Sequence, residues 1–326
     1  MIARGQNLKS ICFGFPYIDT LKILEKFGPG ALFYGNGSSE DLDDLENRLE
    51  NGEEYLALFC EFPSNPLLQT PDIHRIKRLA QSFKFVVVID ETIGNFLNVH
   101  VLPFADVLVS SLTKIFSGES NVMGGSAILN PAGAYYGLLK KAWAAEYEDI
   151  YWHEDAVFME RNSRDFASRN KRINRNAEAI CDVLKLSEHV KEIYYPKLSP
   201  SRSFYDQCRT KNGGYGGLIS ATFNHKSDAG VFFDNLETQK GPSLGTNFTL
   251  ASPYVILAHY NEQEWAAQYG VDSNLVRFSV GLEDTKELRE KFLRALHPPI
   301  QAHWDWGDGC WVCGGKIIDC NHINNQ

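Results

Sequence analysis

Phe85-Val-Val-Val-Ile-Asp90 is a short apolar run that ends on a carboxylate. Its length and its β-branched content predict a buried strand, since such residues suit a pleated surface packed on both sides. Upstream, Tyr55–Phe62 reads as a second strand, broken by Pro63-Ser64-Asn65-Pro66. Asp72 then opens a helix whose apolar positions Ile73, Ile76, Leu79 and Ala80 recur at helical spacing. Downstream, a polar turn leads to a third strand over Asp106–Ser110. A strand, helix, strand series with nearly continuous apolar strands predicts an α/β fold with a parallel sheet covered on both faces.

In such sheets ligands collect at the carboxyl ends of the strands. Asn65, Asp90 and Ser111–Lys114 all follow strand ends, so the fold is expected to bring them to one edge. Lys114 closes Val109-Ser-Ser-Leu-Thr-Lys114. A lysine there could form a Schiff base with pyridoxal phosphate, and a strand-end carboxylate could pair with the protonated pyridine nitrogen. A lysine in a Ser/Thr-rich loop also fits an ordinary solvated charge, so the flanking sequence has to decide between the two.

With 326 residues and 44% hydrophobic content, the chain can bury a large core and is long enough for two domains. The formal net charge of −9, without a dense basic stretch, argues against nucleic acid as a partner. Apolar runs such as Phe85–Ile89 are too short to span a bilayer, and no signal-peptide pattern is seen. The expectation is a cytoplasmic protein with no membrane anchor. Cys12, Cys60, Cys181 and Cys208 are scattered as reduced thiols would be. Cys310, Cys313, Cys320 and His322 offer zinc-type ligands, but their spacing fits no zinc module, and no metal is expected.

From Ala132 onward the pattern turns helical, through the Arg- and Asn-rich Glu160–Leu184. A second α/β unit follows. It has strands near Ile193, over Gly217–Phe223 and over Leu275–Val280, with helices over Asp228–Leu236 and Asp284–Leu296. The run Gly213-Gly214-Tyr215-Gly216-Gly217 lacks a following Lys-Ser/Thr and enters a strand, so it reads as a flexible lead-in and not as a phosphate loop. The expected organisation is a large domain over 1–150, a connecting helix over 151–185, a small domain over 186–297 and a disordered tail over 298–326.

Taken in order, five blocks resemble the transsulfuration (Cys/Met-metabolism) family of pyridoxal phosphate enzymes, and most of all its fungal cystathionine γ-synthase group. They are Glu61-Phe-Pro-Ser-Asn-Pro66, Val86–Asp90, Ser110–Lys114 with Gly124-Gly125, Gly241-Pro-Ser-Leu-Gly245 and Val276–Asp284. The resemblance runs from about Ile11 to Leu296 and implies a fold-type I transferase. It implies that Lys114 holds the cofactor and then shuttles protons, and that Asp90 keeps the ring nitrogen charged. Ser111 and Thr113 are implied as phosphate ligands, and Tyr17 as the residue that stacks on the ring and acts on the leaving group. Asn65 would sit near the ring oxygen, while Arg277 and Ser243 would grip a substrate α-carboxylate. Core tyrosine, turn asparagine and salt-bridged arginine are the plainer readings of Tyr17, Asn65 and Arg277.

The implied reaction is a γ-replacement on an O-acyl-homoserine by cysteine or a related nucleophile. Relatives within the family use the same lysine for C–S elimination or for secondary metabolism. The resemblance also implies assembly as a homodimer or homotetramer. The family's N-terminal Tyr-Ser-Arg arm and Ser-Ser-Gly-Met phosphate turn have no counterpart in this sequence. The expectation is therefore an N-terminally shortened large domain with weakened cofactor binding and uncovered apolar surface, and a non-catalytic paralogue is the rival reading.

Overall fold

The computed structural model describes residues 7–297 and, beyond them, only the backbone of three short strands. The first sheet is built from β1 (Ser10–Phe13), α1 (Ile18–Phe27), β2 (Ala31–Tyr34), α2 (Ser39–Glu50), β3 (Ala57–Glu61), α3 (Ile73–Phe83), β4 (Val86–Asp90), β5 (Val107–Ser111) and β6 (Gly125–Leu129). Its strand order is β2-β1-β3-β4-β5-β6, parallel throughout except for the antiparallel edge strand β6. The run that decides the fold is thus a central strand.

Local chemistry sets the element ends. The Asp72 carboxylate accepts the Arg75 N–H at 2.9 Å and caps α3, and Lys84 stops the helix in a left-handed conformation at φ 64°. Ile73, Ile76, Leu79 and Ala80 are buried, as their spacing predicts. Ser38 and Asp41 form a reciprocal capping box that starts α2. The strands β1 and β2 and the helix α2 do not appear in the sequence reading; β1 and β2 are only four residues each, too short for periodicity to mark.

Among the described residues the sheet is closed on one face only, which departs from the cover on both faces that continuous apolar strands predict and agrees with the uncovered apolar surface expected of a shortened large domain. Ile11, Phe13, Leu58, Val87, Ile89 and Leu108 are buried against the main core. The opposite face carries Phe33 of β2, Phe59 of β3, Val88 of β4 and Val107 and Val109 of β5, all only partly buried, whereas Cys12 of β1 is buried there under α1. Among the described residues, α1 shields the β1–β2 end of this face through Leu21 and Leu24, and a cleft of about 240 Å³ opens beside it over Phe59, Val88, Asp90 and Val109.

The connecting helix expected over 151–185 is two helices. After α4 (Tyr136–Glu146) come α5 (His153–Ser163) and α6 (Phe166–Leu184), separated at Arg164–Asp165. Then follow β7 (Val190–Tyr194), α7 (Arg202–Cys208), β8 (Leu218–Phe223), α8 (Lys226–Asn235), β9 (Gln239–Lys240), β10 (Leu250–Pro253), α9 (Tyr254–Ala258), α10 (Gln263–Ala267), β11 (Val276–Ser279) and α11 (Thr285–Leu296). These strands form a second sheet in the order β7-β8-β11-β10-β9. The glycine-rich run does lead into β8.

The final backbone strands are β12 (His303–Trp304), β13 (Trp311–Cys313) and β14 (Lys316–Ile318), paired antiparallel. The rest of the 298–326 tail, with Cys310, Cys320 and His322, lies outside the described residues, as does the Cys313 side chain. Among the described residues no helix is long and apolar enough to cross a membrane.

Candidate active site

Parallel pairing places Glu61 opposite Asp90, and Asp90 opposite Val109, so that β3, β4 and β5 end at one edge. Asn65 follows β3, and the turn carrying Lys114 follows β5. That turn is held by the Lys114 N–H to the Ser111 carbonyl at 3.3 Å and by the Leu112 N–H to the Gly124 carbonyl at 2.9 Å. The second sheet contributes Arg277 from β11 and the loop Gly241–Gly245 that leads to β10.

Lys114 Nζ donates to Ser243 Oγ at 3.0 Å. Among the described residues it has no carboxylate partner, and burial, then the nearby Arg277 charge, hold its pKa below the usual lysine range. The close approach of the two loops depends on Gly245. Its φ is +76°, and a Cβ there would stand 2.5 Å from the Ile115 nitrogen and 2.8 Å from the Lys114 carbonyl carbon.

Arg277 is 3% exposed and has no acidic partner among the described residues. Its Nη1 donates to Asn65 Oδ1 at 3.1 Å, and its Nη2 donates to the carbonyls of Pro242 at 2.6 Å and Ser243 at 3.0 Å. The guanidinium lies over the Tyr254 ring, 4.8 Å from its centroid. Burial lowers its pKa to about 10. The plainer reading of Arg277 as a structural salt bridge finds no carboxylate for it among the described residues. The guanidinium is buried and already held by neutral acceptors, a setting that suits recruitment of an anion.

Asp90 Oδ1 accepts the Thr92 N–H at 2.8 Å. Burial raises its pKa, and no basic side chain pairs with it among the described residues. Glu61 and Glu91 lie close enough for the Asp90 charge to act on them; burial, then Asp90, pushes each up to about 8. Asp90, at the end of β4 and without a basic partner among the described residues, is a place where a protonated ring nitrogen would be stabilised. The donor set thus fits pyridoxal phosphate at both ends, with an amine at Lys114 and a carboxylate at Asp90.

The remaining predicted residues are placed less tightly. Thr113 Oγ1 is engaged with the backbone of Gly124, and the Ser111 N–H donates to Thr92 Oγ1 at 2.8 Å. Asn65 Nδ2 donates to the Tyr254 hydroxyl at 3.4 Å, so its side chain ties the loop after β3 to α9 and is more than a turn residue. Tyr17 is 57% exposed, which excludes the buried-core reading; its N–H donates to Glu61 Oε1 at 2.5 Å. Sequence reasoning gave no role to Glu61 or Tyr254. Glu61 was visible as the first residue of a quoted block, whereas nothing marked Tyr254, which meets Asn65 across 189 residues.

Residues 14–297 match the family described as Cys/Met metabolism PLP-dependent enzyme. The chain belongs to this family. It is 64% identical over 290 residues to the cystathionine gamma-synthase of Neurospora crassa, covering 89% of this chain and 47% of that protein. It is 51% identical over 332 residues to a cystathionine gamma-synthase-like enzyme of Amanita muscaria, covering 92% and 52%. The chain thus spans about half the length of the curated relatives it matches. A solved cystathionine gamma synthase from Xanthomonas oryzae pv. oryzae, in complex with cystathionine, superposes with a TM-score of 0.78 at 23% identity, covering 90% of this chain and 76% of that one. At that identity the likeness shows the fold.

Proposed function

We propose that this family member works as a cystathionine γ-synthase-type transferase, replacing the acyl group of an O-acyl-homoserine with the thiol of cysteine. The observation that carries this reading is a partly buried Lys114 and a buried Arg277, neither with an acidic partner among the described residues, joined through the Ser243 segment beside Asp90. The 64% identity to the Neurospora enzyme supports it.

Pyridoxal phosphate, when bound, supplies the electron sink that weakens bonds at the substrate α-carbon. Asp90 would hold its ring nitrogen, and Ser111 and Thr113 its phosphate. Lys114 would hold the cofactor and, once released, take the α-proton and return a proton along the chain. Burial and the Arg277 charge lower its pKa, the direction that suits a general base. Arg277, with Ser243, would bind the α-carboxylate through a charge-assisted fork and so fix which bond at the α-carbon faces Lys114. Tyr17 would serve the leaving-group side, and Asn65 would keep Arg277 in place.

The deciding experiment is titration of the purified chain with pyridoxal phosphate, followed by borohydride reduction and peptide mapping. A visible band trapped on Lys114, with cystathionine formed from an acyl-homoserine and cysteine, is the expected result. A band without cystathionine would redirect the reading to another nucleophile or to C–S elimination, in line with the Amanita relative's qualified name. The open sheet face next to Asp90 favours a second reading, a fold that retains these residues without turnover. Complete absence of a band would select it. We also expect self-association into a homodimer or homotetramer, which light scattering checks.

A further inference from the structure

Glu61 ends β3 at the register position opposite Asp90, and the proposed chemistry does not use it. Its two oxygens are divided between two chain segments. Oε1 accepts the Tyr17 N–H at 2.5 Å, and Oε2 accepts the Asn65 N–H at 3.1 Å. From Asn65 the contacts continue: Arg277 donates to Asn65 Oδ1 and to the Ser243 carbonyl, and Lys114 donates to Ser243 Oγ. One carboxylate therefore anchors the start of α1 and, through Asn65, a hydrogen-bonded path to the proposed cofactor lysine.

We propose that Glu61 is a positioning residue: its carboxylate clamps the Tyr17 and Asn65 segments together, fixing the proposed leaving-group tyrosine and the Asn65–Arg277 contact beside Asp90. What the clamp positions rests on the function proposed above; the clamp itself does not. A carboxylate suits the task because it offers an acceptor to each N–H group, whereas an amide of the same size has only one acceptor oxygen. Burial and the Asp90 charge oppose ionisation here, and the two N–H bonds offset part of that cost.

The test uses Glu61→Gln and Glu61→Ala in the full chain, read by residue-resolved amide hydrogen exchange and by the visible absorbance and circular dichroism of added pyridoxal phosphate. Loss of one hydrogen bond is expected to speed local exchange about tenfold. The Gln variant should show this at Tyr17 or at Asn65, and the Ala variant at both, with the amide of Val87 in mid-sheet unchanged. Cofactor affinity should fall about tenfold in the Ala variant, with an altered dichroic band. If both amides exchange within about twofold of wild type in the Gln variant, the clamp is refuted. That isosteric variant still decides the matter should Ala unfold the chain. A wild-type protein that forms no band refutes the cofactor reading, while exchange judges the clamp independently.

Discussion

At the scale of single residues, the site follows from which charges lack opposite partners. Lys114→Ala removes the amine that would hold the cofactor and move the proton. It should abolish the borohydride-trapped peptide and cut cystathionine formation by about 10²–10⁴-fold, while leaving the circular dichroism of the backbone intact. Unchanged cofactor absorbance in that variant would reject the assignment. Glu91 gives a prediction about stability. It is 2% exposed, and burial and Asp90 raise its pKa to about 8 from the model-compound value of 4.5. The folded chain therefore binds more protons than the unfolded chain between those values, so this contribution to stability is complete below about 4.5 and is lost as pH rises through about 8. Glu91→Gln should flatten that decline by on the order of 2 kcal/mol in urea melts compared at pH 5 and pH 8.5. A variant whose pH dependence matches wild type would remove Glu91 as a source. Lys114 and Asp90 were legible in the sequence because each follows a strand end, and strand ends in parallel sheets share an edge. The Asn65–Arg277 contact was not legible, because it joins residues 212 apart through side-chain geometry that no periodicity records.

At the scale of elements, sequence pattern served where an element was long and amphipathic, and failed where it was short or split. The helix α3 was readable from its cap and its apolar spacing, and Asp72→Ala should cost about 1 kcal/mol. The break between α5 and α6 was hidden, since Arg164 and Asp165 are both tolerated inside helices. The loop Gly241–Gly245 was visible as a family block, yet the need for its last glycine appears only in three dimensions. Gly245→Ala would place a methyl 2.5 Å from backbone at a positive φ, so the loop must retreat from the Lys114 turn. The backbone strain alone costs about 1–3 kcal/mol. We expect a lower thermal midpoint and, because a retreating loop lets water reach Lys114 and relieves its burial, an upward shift of the Lys114 pKa in pH-dependent amine labelling. An unchanged labelling midpoint would mean that the burial of Lys114 does not depend on the close approach of the two loops.

At the scale of the whole molecule, the parallel sheet is closed on one face among the described residues, where continuous apolar strands alone predict cover on both. A parallel sheet is stable in water when both faces are covered, and the sequence reading of continuous apolar strands assumed this. The strand β4 makes the difference testable within two adjacent residues, because Val87 points into the closed core at 0% exposed while Val88 faces the partly open side. Removing two methyl-sized groups from a filled core costs transfer energy and leaves a cavity, so Val87→Ala should lose about 2–3 kcal/mol. Val88→Ala removes the same atoms from a surface that water already reaches, and should lose under about 1 kcal/mol. Urea midpoints of the two variants give the comparison directly, and an apolar dye that brightens on the native chain would mark the same face. Equal losses at Val87 and Val88 would show that the open face is covered in solution. The most direct source of cover would then be another copy of the chain, and the loss at Val88 would shrink as the protein is diluted, because a contact between copies weakens with concentration whereas one within the chain does not.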